Sequence, residues 1–217
     1  MNIIAVLDFE HLDNGIFLNA FAQALARQQA DRCIVLHGDS AYTDRLIQTG
    51  MMRSDAQLRS IRDLNHRLVA LFADNGVPTI GVNGYQRSLL QWDEQQNLEL
   101  DRDYYQQLSD RVVLLISSLV QSTKSDQPVA MPLPELAHQL KQLLDFDEIV
   151  VFSPQEEDEI LTPSQGNNYT YEELTPTDKE HLLPREFRSQ QRSVRVVNTH
   201  QFGQFPNEKG TKIKKNG

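Results

Sequence analysis

Apolar residues along the chain fall into short unbroken runs, separated by stretches in which they recur every three or four positions. "IIAVLDF" (3–9) is the first run; "GIFLNAFAQALARQQA" (15–30) follows it with Ile16, Phe17, Ala20, Phe21, Ala24 and Leu25 at helical spacing. The pair predicts a buried strand and an amphipathic helix. "CIVLHG" (33–38) and "AYTDRLIQTG" (41–50) repeat the pattern, and a longer helix over 56–75 carries an apolar stripe at Leu58, Ile61, Leu64, Leu68, Leu71 and Phe72. It stops at "DNG", where Gly76 suits a left-handed cap.

"VPTIGVNG" (77–84) predicts a third strand, and "SLLQWDEQQNLEL" (88–100) a hairpin turning near Asp93–Asn97. A helix over 102–110 then leads into "RVVLLISSLV" (111–120), one continuous strand covered on both faces. After a loop over 121–131, "PLPELAHQLKQLLDF" (132–146) opens on prolines suited to a helix start and carries Leu136, Leu140, Leu143 and Leu144 on one side. "DEIVVFSP" (147–154) is the next central strand. Strands alternating with helices predict an α/β fold, a three-layer α/β/α sandwich around a mainly parallel sheet. Residues 1–153 form its core. The polar, proline-bearing segment 154–192 is an irregular excursion, "SVRVVN" (193–198) a returning strand and "GTKIK" (210–214) a last edge strand, so that 154–217 completes the same domain.

Charge narrows the function classes. The 217 residues carry a formal net charge of −9. A nucleic-acid or anionic-membrane surface needs clustered Lys and Arg, and the only such cluster, "KGTKIKKNG" (209–217), reads as a solvated tail. No run reaches the length of a membrane span, and the first residues lack the basic and apolar regions of a signal peptide. A cytoplasmic chain with a buried, inert Cys33 is expected. The histidines lack metal-ligand spacing, and "QEEDE" (155–159) reads as a solvated acidic loop, so no metal is expected.

The order of these segments resembles the amino-acid kinase family, acetylglutamate kinase in particular. "IIAVL" matches its first strand, "VLHGDSAYTDRL" (35–46) its strand–HGGG–helix, "LNHRLVALFADNGVPTIGVNG" (64–84) its Asn-initiated helix and Gly-rich strand, "FDEIVVFSP" its central strand and "KGTKI" its closing strand. The resemblance implies ATP-dependent phosphorylation of a carboxylate along the carboxyl edge of one sheet, and a homodimer joined through flanking helices, for which the stripe at Leu58, Ile61, Leu68 and Leu71 is the candidate face.

The chemistry of that family departs here residue by residue. Phosphoryl transfer needs cations. Where the family has a Lys followed by Gly-Gly, this chain has "AVLDFE", with Ala5, Leu7 and Asp8 in those places, and no Lys occurs before Lys124. In the phosphate turn Gly38 persists, while Asp39 and Ser40 replace two glycines; either suits the N-cap of the following helix and would consume the N–H groups a phosphate uses. A carboxylate about 4 Å from a phosphate costs roughly 4 kcal/mol at an effective dielectric of 20. Pro132 and Pro134 stand where the family organises its lysines, with Glu135 as the nearest carboxylate.

No catalytic residue is therefore assigned, and no cofactor; ATP and Mg belong only to the alternative of an active kinase using rearranged cations such as Arg87, Arg185, Arg188 or a late lysine. The expected ligand crevice comprises His37, Gly38, Asp39, Ser40, Arg53, Gly81, Asn83 and Gly84. His37 reads as a packed histidine rather than a base. Arg53 matches the family residue that grips a substrate carboxylate, which makes a small carboxylate the expected ligand. The expected role is binding, regulation or assembly on a degenerate kinase scaffold, the further alternative being a structural subunit.

Overall fold

The computed structural model describes residues 1–108, 111–125, 127–154, 168–189, 191–207 and 210–215. The main sheet has eight strands in the order β10-β12-β11-β9-β1-β2-β6-β3. They are β1 (Asn2–Leu7), β2 (Arg32–His37), β3 (Thr79–Asn83), β6 (Val113–Ser117), β9 (Glu148–Phe152), β10 (Asn168–Thr170), β11 (Val194–Val197) and β12 (Thr211–Lys214). A second sheet, in the order β5-β4-β7-β8, consists of β4 (Leu90–Trp92), β5 (Leu98–Leu100), β7 (Leu119–Ser122) and β8 (Pro128–Ala130). The helices are α1 (Phe9–Leu12), α2 (Gly15–Arg27), α3 (Tyr42–Gln48), α4 (Arg53–Asp74), α5 (Arg102–Gln107), α6 (Leu133–Leu144), α7 (Pro176–Leu182) and α8 (Thr199–Gly203).

β1 pairs in parallel with both β2 and β9 and is buried along almost its whole length. Its side chains alternate between two cores, as the pleat requires. Ile3, Ala5 and Leu7 join Phe17, Phe21, Leu64, Leu68, Phe72 and Phe202 from α2, α4 and α8. Ile4 and Val6 face the other way, toward Leu133, Leu136 and Leu140 of α6, Leu182 of α7 and residues of the second sheet. This is the expected α/β/α sandwich with a mainly parallel sheet; among the described residues of the main sheet, only the β11–β12 ladder is antiparallel.

Five expectations change. The run 111–120 is two strands: Ser118 donates its N–H to the His37 carbonyl (2.8 Å), and the chain then leaves the main sheet to enter the second as β7. The loop over 121–131 contains β8, which pairs with β7. Ile16 is 78% exposed in the first turn of α2, which Asn14 caps through the Ile16 and Phe17 amides, while Phe17, Leu18, Phe21, Ala22, Ala24 and Leu25 are buried. The segment 210–214 is no edge strand, since β12 lies between β10 and β11. The stripe proposed as a dimer face is largely spent within the chain, with Ile61 and Leu68 at 0% and 1% exposure.

Candidate functional site

The parallel strands β1, β2, β6, β3, β9 and β11 end along one edge of the sheet. From β1 the chain departs to α2 on one face; beyond β9 it supplies Tyr171, Leu174, Leu182 and Phe187 to the core on the opposite face. Neighbouring strands whose connections part in this way leave a crevice between their carboxyl ends, where open α/β sheets bind ligands. Here that switch point lies between Asp8 and Ser153, at the ends of β1 and β9.

It is bridged by protein groups. Asp8 caps α1, accepts from the His11 amide (3.2 Å) and pairs with His11 Nδ1; His11 Nε2 then reaches the Ser153 carbonyl at 3.2 Å. The His11 ring lies against Phe17, with centroids 4.1 Å apart, and is itself buried. Asp8 Oδ2 is buried without a hydrogen-bond partner. Glu186 completes the wall from the short turn Arg185–Phe187, accepting a hydrogen bond from the Leu133 amide at the start of α6. Burial, joined by the negative charges of Asp8 and Asp39, pushes its carboxyl up to about 7.

The adjoining turn, 38–43, is where the phosphate question is decided. Every N–H from Ser40 to Thr43 already has an acceptor. Ser40 donates to Asp39 Oδ1 (2.8 Å), Ala41 to Asp13 Oδ2 (2.6 Å), Tyr42 to Ser40 Oγ (3.3 Å) and Thr43 to the Ser40 carbonyl (3.1 Å). Asp39 also accepts from the Thr43 hydroxyl and from Gln57 Nε2 (3.3 Å). Neither Asp39 nor Ser40 occupies the N-cap position, which falls to Ala41. The carboxylate turns back along the chain toward Ser40 instead, with the same outcome for the amides. Gly38 is covered by α6: a Cβ there would lie 3.1 Å from Leu133 Cδ1.

His37 is fully buried. Its Nδ1 donates to the Gly38 carbonyl (3.1 Å), which leaves Nε2 to accept from Asn65 Nδ2 (3.0 Å). Burial pushes the imidazole down to about 4, so the ring is neutral near pH 7 and serves as a tie between β2 and α4. In sheet register both His37 and Asn83 face Ser117, whose hydroxyl donates to Asn83 Oδ1 at 2.9 Å. The fold thus gathers His37, Asn83 and the 38–40 turn along one edge.

Gly81, Gly84 and Arg53 are not drawn into that group. Gly81 makes room for α4, since a Cβ would come within 2.5 Å of Asn65 Oδ1. Gly84 lets the second sheet approach, with the Leu119 carbonyl 2.6 Å from where its Cβ would be. Arg53 is exposed at the first position of α4, one turn before Gln57, the residue of that helix that reaches Asp39.

Two of the alternative cations are engaged elsewhere. Arg188 donates to the Leu183 (2.9 Å) and Glu180 (3.1 Å) carbonyls, and Arg87 lies over the Tyr104 ring at 5.2 Å. Glu135 holds Arg192 and Gln139. The acidic stretch 155–159 lies outside the described residues. Among the described residues no cluster of His, Cys, Asp or Glu could hold a metal ion, and no helix is long and apolar enough to cross a membrane.

Sequence reasoning missed His11, Asp13 and Glu186. Asp8 followed three residues later by His11 is a legible capping signal. Glu186 offers none, because tertiary folding alone brings it to Asp8.

No protein-family model and no curated protein matches the sequence. Solved structures do match. An isopentenyl phosphate kinase shares 10% identity over 99% of this chain and 100% of its own, with a TM-score of 0.66. The N-acetylglutamate synthase from Neisseria gonorrhoeae, complexed with coenzyme A and N-acetyl-glutamate, shares 18% identity over 100% of this chain and 60% of its own, with a TM-score of 0.64. Aspartate kinase from Synechocystis shares 13% over 99% of this chain and 40% of its own, also at 0.64. This chain thus spans well under two thirds of the last two proteins. At these identities the likeness is one of architecture, and that architecture is the amino-acid kinase fold.

Proposed function

We propose that this protein uses an amino-acid kinase scaffold for binding or regulation and does not transfer the γ-phosphoryl group of ATP. The occupied 38–43 turn carries this reading: its amides are satisfied by Asp39, Ser40 and Asp13, so a phosphate would have to displace protein hydrogen bonds while facing the carboxylates that made them. The dipole of a helix start is worth only about 0.3–1 kcal/mol to an anion. Repulsion from one carboxylate about 4 Å away, roughly 4 kcal/mol at a dielectric of 20, outweighs it. The neutral His37 supplies no compensating charge.

Calorimetric titration with MgATP is the test. The expected result is no saturable binding at micromolar nucleotide; a dissociation constant in the low micromolar range overturns the reading.

A small carboxylate remains the ligand to try, because Arg53 is exposed one turn before Gln57, which reaches the 38–43 turn, and a planar guanidinium suits bidentate carboxylate recognition. N-acetylglutamate, the ligand of the Neisseria protein, leads a screen that includes glutamate and aspartate. A binding acid is expected to raise the melting temperature of the protein and to lose that effect in Arg53→Ala. A shift that survives the substitution removes Arg53 from the site.

A further inference from the structure

The opposite edge of the sheet, where β9 and β11 begin, carries a feature that the kinase-like crevice does not explain. A cleft of about 550 Å³ opens between the second half of α6 and the segment entering β11, lined by His138, Lys141, Gln142, Ser189, Arg192 and Lys215, among others. Among the described residues no acidic side chain lines it. A second cleft of about 320 Å³ adjoins it, sharing Lys141, Ser193 and Lys215 and adding Lys212 and Lys214.

The charge here runs against that of the chain. The molecule is formally −9, yet four of its seven lysines line these two joined clefts. Over its described residues, 210–215, the reading as a solvated tail fails: β12 joins the sheet and brings its lysines beside α6. Some of the cations are matched. Arg192 pairs with Glu135, and Glu148 is shared by Arg195 and Lys212. Asp147 accepts the Asn2 amide at 2.6 Å. Among the described residues Lys141, Lys214 and Lys215 have no ion-pair partner, and two of these three line the larger cleft. Burial and the cations of Arg192, Lys141 and Lys215 lower the pKa of His138 against the opposing pull of Glu135, as expected in a positive field.

The remaining lining is suited to oxygen ligands. Ser193 Oγ accepts from the Lys215 amide (3.0 Å), which leaves its own proton to donate. Ser189, Gln142 and Gln191 add hydroxyl and amide donors. Among the described residues no aromatic ring lines the larger cleft to stack a nucleobase. A concave set of cations and neutral donors drawn from three elements selects a compact anion rather than an extended surface.

We propose that this cleft is a ligand site separate from the crevice, and that it takes a small, multiply charged, phosphate-bearing anion. Lys141 and Lys215 supply the charge, and Ser193 with the Gln side chains supplies donors to the phosphate oxygens. The lysines are exposed or half-buried, so their replacement spares the core.

Inorganic pyrophosphate, titrated calorimetrically into the full chain at constant ionic strength, is the probe. Saturable binding is expected, weakening as sodium chloride is raised. In Lys141→Gln/Lys215→Gln the affinity is expected to fall at least about tenfold. Arg59→Gln/Arg67→Gln, which removes the same charge from exposed positions on α4 across the sheet, is expected to bind as the parent does. Circular dichroism and unliganded melting establish that each variant is folded; should the double variant fail there, Lys215→Glu alone takes its place. Absence of saturation at millimolar pyrophosphate overturns the proposal, as does equal loss in the α4 variant. Co-sedimentation with phosphatidylglycerol vesicles without pyrophosphate binding overturns it in favour of a lipid surface.

Discussion

Glu148→Leu is expected to lower the stability of the protein by about 3–5 kcal/mol, because it strips a buried carboxylate from two cations at once. Glu148 and Arg195 are 9% and 8% exposed. The carboxylate takes two hydrogen bonds from the Arg195 guanidinium, one of them 2.5 Å long, and a third from Lys212 Nζ at 3.1 Å. Burial by itself would raise its pKa, yet the hydrogen bonds and charges of Arg195 and Lys212 hold it below the usual range. In the β11–β12 ladder Arg195 and Lys212 stand directly opposite each other. Like charges in that position repel, and Glu148 is what makes the pairing tolerable. Urea denaturation provides the measurement. Glu148→Leu/Arg195→Leu, which removes both buried charges, is expected to recover most of the loss; a single variant within about 1 kcal/mol of the parent would refute the account.

Glu186→Gln works in the opposite direction and depends on pH. Its carboxyl titrates at about 7 in the folded chain against an ordinary 4.5. The folded state therefore holds a proton that the unfolded state has released between those values. The stabilising contribution of that proton is complete below about pH 4.5 and is lost as pH rises through 7. At pH 8 the glutamate is a charged group facing Asp8 and Asp39, with the Leu133 amide at the start of α6 as its favourable partner. Arg188, two residues on, is turned toward the 180 and 183 carbonyls and Glu10. A glutamine keeps an acceptor for Leu133 and removes the charge. At pH 8 the variant is expected to be more stable than the parent by on the order of 2 kcal/mol, and the difference should vanish at pH 4. Urea midpoints measured across that range decide it; a variant that is less stable at pH 8, or a difference that ignores pH, excludes the carboxylate cluster as described.

Much of the architecture was legible because strands buried on both faces announce themselves as apolar runs, as at 3–7, 33–37 and 148–152. Hydropathy could not show that 111–120 changes sheets at Ser118, since both strands are apolar and the Ser118 amide still bonds the His37 carbonyl of the main sheet before the chain enters the second. Nor could spacing alone show that Ile16, which fits the apolar stripe of α2, lies exposed in its first turn. The 38–40 turn was readable because Asp and Ser beside a helix start have short-range chemistry. Asp13 and Gln57, which finish closing it, come from other elements and required the fold.

The position of β1 bears on how this chain reaches its native state. Ile4 has Ile34 on one side and Ile149 on the other, so the middle strand of the sheet can gain its second neighbour only by closing a loop through most of the chain. The same delay affects the aromatic layer, where Phe21 stacks on Phe202 at 5.4 Å. Such long-range pairings slow assembly. Until β9 arrives, β1 exposes a flat apolar edge of the kind that recruits other chains. Refolding should accordingly compete with aggregation, and yields should improve on dilution.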